Sequence, residues 1–207
     1  MVTEQSMAIG GVVLCGGQSR RMGQSKAMLP FGPECMLQRV VRLLGEAVRP
    51  IVVVAAPDQP LPRLPPEVEI ARDRQPHRGP LEGIAVGLQA LAGRVEAAYV
   101  SACDVPLLAP GFVRRVAQLG AGWAVAVPRV GDYDEPLAAV YRVDVLPQIE
   151  ALLSAGRLRP AFPFAVVPTR RIPAELLCEV DPELLSLRNA NQPEQYAELL
   201  RLAGFSP

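Results

Sequence analysis

Short, fully apolar runs alternate with helical periods along this chain, and that alternation limits its fold more than any other feature. Residues 9–15, 51–56 and 97–102 are apolar and rich in β-branched or small side chains, as strands buried on both faces are. Between them, residues 36–48 carry apolar side chains at 36, 37, 40, 41, 44, 47 and 48, the spacing of one helix face. Residues 81–92 read as a small-residue helix, and residues 68–71 as a short strand ending at Asp73. Further along, 112–119 and 145–155 predict helices, while 124–130, 137–141 and 164–167 predict strands. Residues 193–203 close the pattern as a helix, with Asn191 or Gln192 as N-cap and Pro193 in the first turn. Strand and helix in turn predict an α/β fold: a single doubly wound, mostly parallel sheet with helices on both faces, Rossmann-like in plan. Ligands of such sheets bind at the carboxyl ends of strands. That rule directs attention to the loops after Cys15, Ala71 and Ala102.

A chain of 207 residues, half of them apolar, suits one domain spanning residues 1–207. The formal net charge is zero, which argues against a broad electrostatic grip on nucleic acid. No apolar run approaches the roughly 20 residues of a membrane span, and residues 1–8 lack a basic-then-apolar leader pattern, so a cytoplasmic protein is expected. Proline is frequent, at 22 residues, and densest over 57–66, which reads as a stiff surface connection. Cys15, Cys35, Cys103 and Cys178 are scattered and His77 is the single imidazole, which argues against a structural zinc site and a His-based triad. Cysteines in strands are most simply read as small buried thiols.

The loop after the first strand reads L-C-G-G-Q-S-R-R-M-G-Q-S-K from Leu14 to Lys26. Its glycines let backbone N–H groups approach an anion closely, and Arg20, Arg21 and Lys26 add positive charge. The spacing matches neither a dinucleotide-binding fingerprint nor a Walker loop. On composition alone, a glycine-rich turn with solvated arginines remains the alternative. Asp73 is either a ligand contact or a turn carboxylate paired with Arg72 or Arg74. Asp104 follows a buried strand and precedes Val-Pro, so its carboxylate is either aimed into a cleft or a plain turn former. Asn191 is either an N-cap or part of a site.

The loop resembles the L-A-G-G-x-S-x-R-M-G-x-x-K signature of molybdenum cofactor guanylyltransferases and their nucleotidyltransferase relatives. The resemblance continues through G-P-L-E-G at 79–83, S-A-C-D-V-P at 101–106 and N-A-N-Q-P-E at 189–194, in the family's order. It implies the family's nucleotidyltransferase fold, with a nucleotide-binding part over about 8–110 and an acceptor-binding part over about 111–207. It implies that Leu14, Cys15, Gly16 and Gly17 hold a nucleotide through backbone groups, and that Arg21 and Lys26 bind its phosphates. Asp73 would contact the nucleotide, Gly79 and Leu81 would face the base, Asp104 would hold Mg2+, and Asn189 and Asn191 would line the acceptor side. Lys26, Arg21 and Asp104 are the catalytic candidates.

The activity so implied is Mg2+-dependent transfer of GMP from GTP to molybdopterin cofactor, releasing pyrophosphate, without a covalent enzyme intermediate. Other readings are a cytidylyl transfer, a different phosphorylated acceptor, or a non-catalytic nucleotide-binding protein. The resemblance also leaves room for a protein partner that delivers or accepts the cofactor. Departures from the family pattern are Cys15 for Ala, Ser25 where Asp often precedes the lysine, Ala55 where some members have Asn, and Gln192 for Thr. Glu135-Pro136 stands where relatives often carry His-Pro or Gln-Pro, which bears on acceptor recognition.

Overall fold

In the computed structural model, which describes residues 8–16, 25–75 and 78–206, the first apolar run becomes β1 (Ile9–Leu14), buried at every residue but its first. The chain then forms a small hairpin, β2 (Pro30–Phe31) and β3 (Glu34–Cys35), and helix α1 (Met36–Gly45). β4 (Ile51–Ala55), β5 (Glu69–Arg72), α2 (Pro80–Leu91) and β6 (Ala97–Ala102) follow. The later half consists of α3 (Pro110–Leu119), β7 (Val125–Val130), β8 (Tyr133–Asp134), β9 (Ala138–Arg142) and α4 (Leu146–Ser154), then β10 (Thr169–Pro173), α5 (Glu175–Cys178) and α6 (Pro193–Leu202).

The main sheet has the order β10-β7-β9-β6-β1-β4-β5, with β8 paired to β7. β1 pairs in parallel with both β4 and β6, and β4 with β5. β9 runs antiparallel between β6 and β7, so the sheet is mostly rather than wholly parallel. From β1 the chain moves outward through β4 and β5, then crosses back to place β6 on the other side. This reversal is a topological switch point, and it opens a crevice at the carboxyl ends of β1 and β6.

The period-2 alternation of the strands explains why both faces must be covered. Val13, Val53 and Tyr99 point to one face and pack under α1 and α3. Val12, Val52, Val54 and Val100 point to the other and pack under α2 and α4. A third, smaller cluster around Phe31, Met36, Ala190 and Leu199 joins the β2–β3 hairpin to α6. No helix among the described residues is long and apolar enough to cross a membrane.

Two sequence expectations change. Residues 164–167 form no strand: Phe162–Ala165 is a 3-10 turn that buries Phe164 against Tyr141, with ring centroids 6.3 Å apart. The strand in this region is β10, at the sheet edge, where Arg170 and Arg171 are tolerated because only one side is paired. Helix α1 stops at Gly45 instead of continuing to 48, and Val48 reaches the core from the turn that follows.

Helix α2 lies very close to β1. A Cβ added at Gly87 would lie 2.4 Å from a Val12 methyl carbon, and valine is stiff at χ1. Gly87→Val should therefore cost about 1–3 kcal/mol through overpacking, despite replacing glycine within a helix. Urea unfolding checks this, and a variant as stable as the parent would contradict the close approach of α2 to the sheet.

Candidate functional site

The carboxyl ends of β1 and β6 deliver the two most polar elements of the site to one cleft of about 1350 Å³. β1 runs into Cys15 and Gly16. Gly17 and Arg21, with the rest of residues 17–24, lie outside the described residues. The chain returns at Ser25, and Lys26 opens a short 3-10 turn, Lys26–Met28. Across from it, β6 ends in Cys103 and Asp104, and the Cys103 amide donates to the Leu14 carbonyl (3.0 Å), which extends the β1–β6 pairing into the site.

Lys26 is the hub. Its ammonium donates to Asp104 Oδ2 and to Asn191 Oδ1, each at 2.6 Å. The Lys26 and Asp104 side chains are 17% and 11% exposed, so water screens the pair only partly. Asn191 Nδ2 donates in turn to Asn189 Oδ1 (2.7 Å). The main chain locks the same group, since the Ala190 amide donates to the Asp104 carbonyl (2.9 Å). Residues 78 and 165 positions from Lys26 thus meet on one nitrogen. Asn191 is not the cap of α6. Gln192 occupies that position, and Gln195 Oε1 accepts from the Asn191 and Gln192 amides at 3.0 and 3.1 Å, leaving the Asn191 side chain to Lys26.

Asp73, at the end of β5, reaches toward the first loop. Its carboxyl oxygen lies 2.8 Å from where a Cβ on Gly16 would be, so glycine at 16 is what lets the two approach. The two arginines beside Asp73 have partners elsewhere. Arg72 donates to the Ala56 and Gln59 carbonyls at 2.8 and 2.9 Å, and Arg74 pairs with Glu150 at 2.8 Å. Burial raises the Asp73 pKa above the usual carboxylate range, with a smaller push from Glu82. Gly79 caps α2 with φ of +74°, a conformation that favours glycine, and lines the cleft. Leu81 is set back: its side chain is fully buried in the core under α2.

Several cleft residues are not singled out by the sequence, Gln59, Glu82 and Ser186 among them. Gln59, in the proline-rich connection, donates to the Cys15 carbonyl (2.9 Å) and to Ser25 Oγ (3.3 Å), joining the two described ends of the glycine-rich loop. Glu82, 2% exposed in the first turn of α2, lines the cleft with Arg78 at 3.6 Å. Ser186 lies on the far wall and accepts from the Ala109 amide (2.9 Å). Only tertiary pairing reveals the first and third. Glu82 stands inside the G-P-L-E-G segment at 79–83. Glu135, whose pKa is raised by burial and then by Asp134, lines the cleft beside Pro136.

Among the described residues no group of three or more His, Cys, Asp or Glu side chains could hold a metal ion. The carboxylates that line the cleft, Asp104 and Asp73 among them, come from separate elements and do not cluster. That donor set suits a hard cation whose shell is completed by phosphate oxygens and water, as Mg2+ is commonly bound, and does not suit a resident zinc.

Residues 11–166 match the model of the MobA-like NTP transferase domain. A probable molybdenum cofactor guanylyltransferase of Mycobacterium tuberculosis is 41% identical over 158 residues, covering 73% of this chain and 76% of that protein. Molybdopterin-guanine dinucleotide biosynthesis protein A of Archaeoglobus fulgidus shares the fold with a TM-score of 0.79 at 22% identity, over 96% of this chain and 99% of that one. Rv0371C of Mycobacterium tuberculosis, solved in complex with manganese, gives a TM-score of 0.63 at 17% identity, over 94% of this chain and 98% of that one.

The cleft thiols are chemically quiet. Burial, partly offset by Arg72 and reinforced by Asp73, pushes the Cys15 thiol from 9.0 up to about 12, and burial raises Cys103 well above its ordinary value. At pH 8 both stay protonated, whereas Cys35 and Cys178 are only half-buried. Alkylation of the folded chain at pH 8, followed by mass spectrometry, should therefore modify Cys35 and Cys178 at least about tenfold faster than Cys15 and Cys103. Equal rates at all four would contradict the burial of the cleft pair.

Proposed function

The chain belongs to the family of MobA-like NTP transferase domains and is a nucleotidyltransferase, and from that premise we propose that it moves GMP from GTP to molybdopterin cofactor, releasing pyrophosphate. The observation that carries the reading is the meeting of Lys26, Asp104 and Asn191 at the switch point of the sheet. A nucleotidyl transfer needs a cation for the triphosphate, a carboxylate for a divalent metal, and a wall for the acceptor; these three residues come from three separate segments. The name of the mycobacterial relative supports the choice of guanine and of the molybdenum cofactor. We assign the nucleotide to the part of the cleft built from residues 8–110 and the acceptor to the part built from 111–207.

In the reaction an oxygen of the acceptor phosphate attacks the α-phosphorus of GTP. The bond from that phosphorus to the bridging oxygen breaks, and pyrophosphate leaves with the electron pair. The acceptor phosphate is already ionised near neutral pH, so no strong general base is needed. Raised pKa values keep Cys15 and Cys103 from acting as nucleophiles, consistent with direct transfer. The Lys26 ammonium, held between Asp104 and Asn191, can turn to a phosphate oxygen by rotating its flexible stem. With Arg21 and the amides of Gly16 and Gly17, it would stabilise the charge that accumulates on pyrophosphate, while the Cys15 amide stays bonded to the Val54 carbonyl (2.9 Å). Mg2+ on Asp104 would neutralise phosphate charge and favour attack at phosphorus. Asp73, Gly79 and the backbone of Leu14 and Leu81 would hold the nucleoside, while Asn189, Asn191 and Glu135 face the acceptor. Catalysis is then positioning and electrostatics.

Calorimetric titration with GTP, CTP, ATP and UTP, with and without Mg2+, tests the reading. GTP should bind selectively and more tightly with the metal; preference for CTP would move the chain to cytidylyl transfer. Lys26→Ala and Asp104→Ala should each lower GMP transfer by about 10²-fold or more while circular dichroism stays that of the parent. Unchanged Mg2+-dependent turnover in Asp104→Ala would overturn the metal assignment.

A further inference from the structure

The third apolar cluster takes part in neither face of the sheet, yet it touches every segment that carries the Lys26 hub. Leu29 and Phe31 follow Lys26, Leu107 follows Asp104, and Ala190 precedes Asn191; all pack with Leu199, Leu200 and Phe205 at the end of the chain. One cation crosses this cluster. The Arg39 guanidinium lies 5.0 Å from the Phe31 ring centroid and 5.6 Å from that of Phe205, both within cation–π range. The two rings meet edge to face, with centroids 5.7 Å apart and an interplanar angle of 89°. Phe205 can reach this place only because residue 32 is glycine. Gly32 has φ of +65°, and a Cβ there would lie 2.3 Å from Phe205 Cζ.

Arg39 has a polar task that its charge partners do not explain. Glu34, its carboxylate neighbour at 3.5 Å, is held more closely by Arg42 at 2.7 Å. The short bond of Arg39 runs instead from Nε to the Pro106 carbonyl, at 2.7 Å. Pro106 stands two residues after Asp104, in the loop between β6 and α3. That loop has two further anchors next to Asp104: the Ala190 amide on the Asp104 carbonyl (2.9 Å) and the Cys103 amide on Leu14 (3.0 Å). Arg39, Phe31 and Phe205 do not line the cleft, so whatever they contribute to the chemistry passes through the loop.

We propose that Arg39, packed against the touching rings of Phe31 and Phe205, is a positioning residue whose bond to the Pro106 carbonyl holds the Asp104 loop in register with Lys26. The segment that carries Phe205 is thereby part of the catalytic geometry, although none of its described residues lines the cleft. Loss of this bond lets the loop after β6 shift without disturbing the β1–β6 pairing. A displacement near 1 Å at a reacting centre can cost on the order of 10²-fold in rate, so a partial loosening is expected to cost less.

The kinetic part of this inference rests on the nucleotidyl transfer proposed above; the exchange part does not. Arg39→Met keeps the stem and removes the donor, and Phe205→Ala removes the outer ring. In each, amide hydrogen exchange of a peptide covering residues 103–108 should speed up by about fivefold or more while exchange in β1 and β4 stays unchanged. The kcat for GMP transfer should fall by about tenfold, with the KM for GTP within about twofold and melting within a few degrees of the parent. The double variant should be no worse than the worse single one, because both act on the same bond to the Pro106 carbonyl. Unchanged exchange at 103–108 in both single variants would overturn the proposal. So would faster exchange spread over the whole sheet with a large drop in melting temperature, which marks a general structural role. If the parent chain fails to transfer GMP while 103–108 responds as stated, the functional reading fails and the positioning of the loop stands.

Discussion

Parallel pairing of β1 with β6, in the register Ile9↔Ala97 through Leu14↔Ala102, is the constraint on which the rest of the molecule depends. It brings two loops out of the sheet side by side, one carrying Lys26 and the other Asp104. It also leaves both strands buried on two faces, so a slip in register would turn their apolar side chains the wrong way and misplace both loops at once. The helices follow from the same demand. α1 and α3 cover one face and α2 and α4 the other, because neither face of Val12, Val13 and Val100 can remain wet. The crossover from β5 back to β6 then makes a crevice where the connections part.

Much of this was legible in the amino-acid order, and what was not has physical reasons. β1, β4 and β6 announce themselves because strands buried on both faces must be continuously apolar. β10 does not, because an edge strand can carry Arg170 and Arg171, while the more apolar stretch before it is bent into a turn that buries Phe164. Lys26, Asp104, Gly79 and Asn191 stood out through motifs and Asp73 through its place at a strand end, but their mutual contacts did not. The bond from Lys26 to Asn191 spans 165 positions and follows from the docking of α6 against the β2–β3 hairpin. Gln59 was hidden in a proline-rich stretch whose composition suggested only a stiff connection. Its amide does work there that sequence cannot show, joining Cys15 to Ser25.

The electrostatics are local, in keeping with a formal charge of zero. Within the cleft, a partly buried ammonium faces one carboxylate at 2.6 Å, and Asp73 and Glu82 form a second acidic group against Gly16 and Arg78. Partial burial makes such charges more effective than they would be in water, and it sets a cost on leaving any of them unpaired. Among the described residues, Asp104 and Asn191 help Lys26 meet that cost, and their segments are fixed by backbone bonds and by the third apolar cluster. The site is thus a charged centre held in place by apolar packing some distance away, which is the arrangement expected of catalysis by positioning.

The most direct measurement is a crystal structure of the chain with Mg2+ and a GTP analogue that carries a methylene bridge between the α- and β-phosphorus. The account predicts the triphosphate against Gly16 and Lys26, with the Lys26 ammonium turned to a phosphate oxygen and an Asp104 oxygen about 2.0–2.1 Å from Mg2+. A triphosphate bound away from Lys26, or a metal held without Asp104, would contradict it.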